Sequence, residues 1–419
     1  MKLVALALAI PLAGCSLVTD SFVTNDFSGD PFPIQADVAS GAVVLGVRQE
    51  GVHDRAAVLD LLSPVTLTDP GTDVAPSVSS LDLVVLGADG PGGPIDLPRA
   101  KLLGKQVIAL HPCVGDPCLV GTEALPRPYE AIIGADALAG DAVRLRLGED
   151  QVFVLPDIGG DEVHRTRFCD GVFPSPYRGG GTLVIAGTEL PFGGRRIALQ
   201  ACLGANPEPT LPQSARGADA LLVVSTAIGI TILGESAYLR YRESRPTAPA
   251  LDTLPIENVY LPSGRLEGRR GTLEALALVA SSSSTPRAPC RQVYGSHLMV
   301  QRNCQVTDDC PCEDRSSFCG VPAIVELTPP TALDVLVIPD SDPTLQALRT
   351  ELRPDQAEVD GILGTNALRT AEIDVDYPHN RLLARCTAGG CSTRPALTEE
   401  SDRGQIQGCI GPNPVGPLF

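Results

Sequence analysis

Ala131-Ile132-Ile133-Gly134-Ala135-Asp136-Ala137-Leu138 returns, with four identities in eight positions, as Gly361-Ile362-Leu363-Gly364-Thr365-Asn366-Ala367-Leu368. Self-similarity of this kind inside one chain marks a repeated structural unit and governs how the rest is read. Both copies continue as alternating runs. Val143, Leu145 and Leu147 alternate with Arg144 and Arg146, and Ile373, Val375 and Tyr377 alternate with Asp374 and Asp376. A period of two with one apolar side describes a strand with one buried and one water-facing face. Upstream of each copy lies a second matched pair. Val58-Leu59-Asp60-Leu61-Leu62-Ser63-Pro64-Val65-Thr66-Leu67 corresponds to Val223-Val224-Ser225-Thr226-Ala227-Ile228-Gly229-Ile230-Thr231-Ile232, and each is an apolar strand entering a small turn.

Working outward, short apolar or alternating runs bounded by Gly, Pro and Asp recur at 42–47, 56–61, 81–86, 182–186 and 221–224, and all read as strands. Helical periodicity is confined to 235–242 and 345–352. With 38 Pro, 42 Gly and no Trp among 419 residues, the expectation is a mostly β protein rich in loops. Gly159-Gly160, Pro174, Pro176 and Gly179-Gly180-Gly181 punctuate the middle of the chain as a linker would. The expected division is a first lobe at 36–157, a linker at 158–180, a second lobe at 181–388 and a tail at 389–419. A cysteine-rich insert at 290–319 follows the flexible lead-in Ser281-Ser282-Ser283-Ser284, and its five cysteines are expected to staple a protruding loop.

A strand ending in an Asp turn, followed much later by two apolar residues and a Gly, twice in one chain, resembles the pepsin-like aspartic peptidases; a tandem of retropepsin-like lobes is the lesser alternative. The resemblance covers both halves and implies a bilobal, aspartic-peptidase-like double β-barrel. In that family each lobe offers an Asp-Thr-Gly or Asp-Ser-Gly turn, with the apolar-apolar-Gly segment crossing behind it. Here Asp60-Leu61-Leu62 pairs with Ile132-Ile133-Gly134, and Ser225-Thr226-Ala227 with Ile362-Leu363-Gly364. The family's chemistry needs two carboxylates sharing one proton, one activating water while the other protonates the carbonyl. Asp60 stands at the first position and Ser225 at the second, and a hydroxyl does not serve as that base. Leu62 and Ala227 replace the Gly of each turn, Leu61 lacks the Thr hydroxyl that would brace the partner turn, and no Tyr lies between 61 and 128 to cap a substrate. The expectation is therefore a retained fold without peptide hydrolysis. Two alternatives stay open: an active endopeptidase in which another acid, Asp219 being the nearest upstream, replaces Ser225, and a structural protein whose lobes pack shut.

The chain begins with Lys2 and an apolar run, residues 3–12, too short to span a bilayer. The run ends in Leu12-Ala13-Gly14-Cys15, which resembles the bacterial lipobox. That resemblance implies a signal peptide at 1–14, lipid on Cys15, a tether at 15–35 and a place in the cell envelope. Ser16 in place of Asp points to the outer membrane. With Cys15 set aside, Cys113, Cys118, Cys169, Cys202, Cys290, Cys304, Cys310, Cys312, Cys319, Cys386, Cys391 and Cys409 form an even set suited to disulfides in an oxidising compartment. Cys113 with Cys118 and Cys386 with Cys391 are natural local pairs. Cys310-Pro311-Cys312 is too tight for ordinary zinc spacing, and the five histidines, at 53, 111, 164, 297 and 379, are scattered, so no metal and no cofactor is expected. The acidic residues Asp308, Asp309, Glu313 and Asp314 do not follow the EF-hand spacing, and no Gly-x-Ser-x-Gly elbow or phosphate loop occurs. A net charge of −18 without basic clusters excludes a nucleic-acid partner and leaves the membrane, a peptide or an envelope protein.

Overall fold

The computed structural model describes residues 32–34, 36–37, 41–49, 54–68, 77–86, 98–108, 119–120, 123–124, 131–138, 142–155, 172–175, 181–185, 188–192, 196–204, 217–261, 264–279, 290, 323–327, 332–351, 358–377, 380–386 and 391–395. The protein is mostly β, with three large sheets and two small hairpins among these residues. The two runs read as helical form helices Glu235–Ser244 and Pro343–Glu351. Cys15, Cys113, Cys118, Cys169, Cys304, Cys310, Cys312, Cys319, Cys409 and the histidines lie outside the described residues.

Each half is organised around one short strand wedged between the two strands of a turn. Ala131–Ile133 runs parallel to Asp54–Leu59 and antiparallel to Leu67–Thr68. Gly361–Leu363 likewise runs parallel to Ala218–Val224 and antiparallel to Thr231–Gly234. The registers agree across the repeat, with Ile133 beside Leu59 and Leu363 beside Val224. Burial on both faces explains why these strands read as continuous apolar runs. Around the first lies a seven-stranded sheet in which Val44–Gln49 pairs with both Asp54–Leu59 and Ser77–Leu86, and Ser77–Leu86 forms a long hairpin with Pro98–Ile108. Around the second lies a ten-stranded sheet running from Ile256–Leu261 to Cys391–Pro395.

A six-stranded antiparallel sheet joins the halves. Ala142–Arg146 and Ala371–Asp376 are its central pair, flanked by Gln151–Leu155 and Phe32–Ile34 on one side and by Arg381–Cys386 and Val172–Pro174 on the other. Val143, Leu145, Ile373 and Val375 point into one continuous core shared with Leu59, Ile133, Val224 and Leu363. A second cluster, including Val58, Ile132, Val223 and Ile362, covers the opposite face of the turn-bearing strands and is capped by Leu345 and Leu348 of helix Pro343–Glu351.

Most of the face of the central strands expected to meet water does not, Arg146 alone of the named charges being partly exposed. Arg144 is 4% exposed, Glu372 2%, and Asp374 and Asp376 fully buried. Arg144 Nε and Nη2 donate to the two carboxylate oxygens of Asp374, each at 2.7 Å. Arg146 Nε donates to Glu372 at 2.5 Å and Arg381 Nε to Asp376 at 2.6 Å. The period-two pattern is correct, but opposite charges on adjoining strands neutralise one another and permit burial.

The stretch read as a linker contributes Val172–Pro174, and the stretch read as a tail contributes Cys391–Pro395. Both are sheet edges, where a proline's missing N–H removes no ladder bond. Cys290, at the start of the expected insert, is bonded to Cys202 on strand Ala198–Leu203, 88 residues away, and Cys391 is also disulfide-bonded. The staple at Cys290 thus runs to the sheet.

Candidate functional site

The two turns meet where the halves touch. Asp60 closes strand Asp54–Leu59, with its amide bonded to the Ile133 carbonyl at 3.0 Å. Ser225 closes Ala218–Val224, with its amide bonded to the Leu363 carbonyl at 3.0 Å. Each side chain then folds back on its own turn. Asp60 Oδ1 accepts the Leu62 amide at 2.9 Å, and Ser225 Oγ accepts the Ala227 amide at 3.2 Å. Within the turns, the hydroxyl therefore does for its backbone what one carboxylate oxygen does on the other side. Across the interface Ser225 Oγ donates to Asp60 Oδ1 at 3.2 Å.

The mutual brace is one-sided. Thr226 Oγ1 donates to the Leu59 carbonyl at 2.5 Å and accepts the Leu61 amide at 3.3 Å. Leu61 has no hydroxyl to return the contact, and its side chain is buried in the shared core. Arg196 supplies a second link in the same direction, with Nε donating to the Leu62 carbonyl at 2.7 Å while the guanidinium pairs with Glu351. Leu62 and Ala227 carry side chains into the apolar cluster over the turns, where a glycine would leave open backbone.

Behind each turn the crossing segment is held by the same device. Thr66 Oγ1 donates to Asp136 at 2.8 Å and accepts the Gly134 amide at 3.2 Å. Thr231 Oγ1 donates to Asn366 at 2.9 Å and accepts the Gly364 amide at 3.3 Å. A Cβ on Gly134 would run into the Val65 carbonyl, and one on Gly364 into the Ile230 carbonyl, so close backbone approach requires glycine at both.

No protein-family model matches the chain, and no curated protein does. Solved structures similar to it include an aspartic proteinase from Irpex lacteus, at 10% identity over 85% of this chain and 98% of that chain, with a TM-score of 0.40. A basic 7S globulin from soybean shares 13% identity over 86% of this chain and 96% of that one, with a TM-score of 0.39. Conglutin gamma, a basic 7S globulin from lupine seeds, shares 9% over 86% and 96%, with a TM-score of 0.41. At such values they add nothing to what the paired turns themselves display.

Ser225 is fully buried and Asp60 is 8% exposed. Burial pushes the Asp60 carboxyl above the usual aspartate range, against the opposing pull of the Leu62 amide, the Ser225 hydroxyl and the Arg196 guanidinium. Among the described residues the pair is one carboxyl and one hydroxyl, Asp60 with Ser225, and a hydroxyl is not a base of matched pKa. Asp219 does not fill the gap. It lies six residues before Ser225 on an extended strand, about 20 Å away along the chain, and its Oδ1 accepts the Cys290 amide at 2.8 Å.

Asp60, Leu61, Leu62, Ser225, Thr226, Ala227, Gly134 and Gly364, singled out in the sequence, thus come together. Arg196 carried no signal there, being the second of two adjacent arginines, Arg195-Arg196, before a strand. Thr66 with Asp136 and Thr231 with Asn366 did carry one, since both pairs fall at matched places in the repeat.

Proposed function

We propose that the chain is a lipid-anchored cell-envelope protein with a pepsin-like bilobal fold that has given up peptide hydrolysis and binds a peptide or an envelope partner. The observation that carries this reading is the hydroxyl of Ser225 standing 3.2 Å from Asp60, in the turn position dyad-related to that carboxylate. Without a second carboxylate the pair has no proton-sharing state from which to activate water. The matched turns with their crossing segments support the aspartic-peptidase-like architecture. The double pairing of Val44–Gln49 supports a first-lobe barrel. The lipobox-like Leu12-Ala13-Gly14-Cys15 supports signal cleavage, lipid on Cys15 and outer-membrane attachment. The Cys202–Cys290 bond is consonant with that oxidising setting.

An extended peptide is the natural occupant of a groove between two β lobes, because its main chain adds hydrogen bonds there. The complete burial of Ser225 favours one rival, a structural envelope protein with its lobes shut. The test is peptide hydrolysis by the purified protein at acidic pH, with peptide-library binding measured on the same preparation. Binding without turnover is expected. Turnover that a transition-state inhibitor blocks and Asp60→Asn abolishes would overturn the reading, and absence of both turnover and binding would favour the shut structural protein.

A further inference from the structure

Arg144 and Asp374 are equivalent residues of the repeat, 230 positions apart, and they also face each other in the central strand pair. The pseudo-twofold axis relating the halves therefore passes through this one pair. An axis through a pair has a strict consequence. If the first half met a copy of itself in the same way, Arg144 would face Arg144. If the second half met a copy of itself, Asp374 would face Asp374 and Glu372 would face Asp376. The observed register instead sets Arg144 against Asp374 and, one step on, Arg146 against Glu372.

We propose that these charges are a recognition code by which the two halves choose each other. Strand Ala142–Arg146 is a basic surface that accepts an acidic strand and refuses its own copy, and Ala371–Asp376 is its acidic counterpart. The apolar residues cannot make this choice. Val143, Leu145, Ile373 and Val375 are similar in size and equally buried, so they pack in any of the three combinations. Burial makes the charges decisive, because Arg144, Glu372 and Asp374 are at most 4% exposed, and like charges brought together there are held away from water.

The test is a charge-reversal cycle in the full chain: Arg144→Asp, Asp374→Arg and the two together, compared by urea unfolding. Each single reversal is expected to lower the folded-to-unfolded ratio by at least about 100-fold. The double reversal restores an opposite pair on the same axis and is expected to recover at least about tenfold over the product of the two losses. A pair fitted only to its surroundings would gain nothing from reversal, so losses that simply multiply would overturn the proposal. Where a single reversal does not fold, Arg144→Gln and Asp374→Asn with their double form a milder cycle, read by the same criterion.

Discussion

Thr226→Val examines the one-sided brace between the turns. Valine keeps the volume of threonine and removes only the hydroxyl. That hydroxyl donates to the Leu59 carbonyl at 2.5 Å and accepts the Leu61 amide at 3.3 Å, both in the buried zone where the halves meet. A buried backbone group stripped of its partner costs about 1–3 kcal/mol. The Leu61 contact is long and belongs at the lower end, so the substitution is expected to cost about 2–4 kcal/mol, enough to move a urea midpoint by about 1 M. Thr226→Ser is the control, since it keeps the hydroxyl and gives up one buried methyl, worth about 1 kcal/mol. Equilibrium urea unfolding of the three proteins is the assay. Valine within about 0.5 kcal/mol of the parent, or no worse than serine, would refute the claim that Thr226 carries the brace.

Asp60→Asn should change stability with a definite pH dependence. Because the folded protein holds the Asp60 proton more tightly than the unfolded chain does, the associated stabilisation is complete below the unfolded value, about 3.9, and is lost as pH rises through the folded one. The asparagine variant should therefore gain on the parent as pH rises above the unfolded value and level off once the folded value is passed, read by thermal unfolding; a difference that does not change with pH would contradict this. Gly364→Ala places a methyl against the Ile230 carbonyl, which is backbone and cannot move aside, so a loss of about 3 kcal/mol is expected in denaturant unfolding, with Gly134→Ala behaving alike. Replacing Cys202 and Cys290 by Ala opens a loop of 88 residues and should cost about 4 kcal/mol, read as a lowered melting temperature that added reductant does not lower further at this bond.

What could be read from the sequence, and what could not, follows from the range of the interactions. The turns at Asp60 and Ser225 and the segments ending at Gly134 and Gly364 were legible because each is a local pattern that occurs twice. The water-facing assignment of Arg144 and Asp374 failed because each neutralises the other across 230 residues, while Asp376 is covered by Arg381, five residues on; a period of two reports alternation without saying what covers the polar side. Val172–Pro174 hid inside a proline-rich stretch because an edge strand tolerates the residue that a central strand excludes. Arg196 was invisible for the same reason as the Cys202–Cys290 bond: its partners, Leu62 and Glu351, are distant in the chain and no repeat points to it.

The measurement that tests the central claim most directly is a carboxyl carbon NMR titration of Asp60 in the parent and in Ser225→Ala. A lone carboxyl braced by a hydroxyl should titrate in one step, above the ordinary aspartate range, and should move higher still when the Ser225 donor is removed. Two coupled steps that persist in Ser225→Ala would reveal a second carboxyl sharing the Asp60 proton, and would contradict the account.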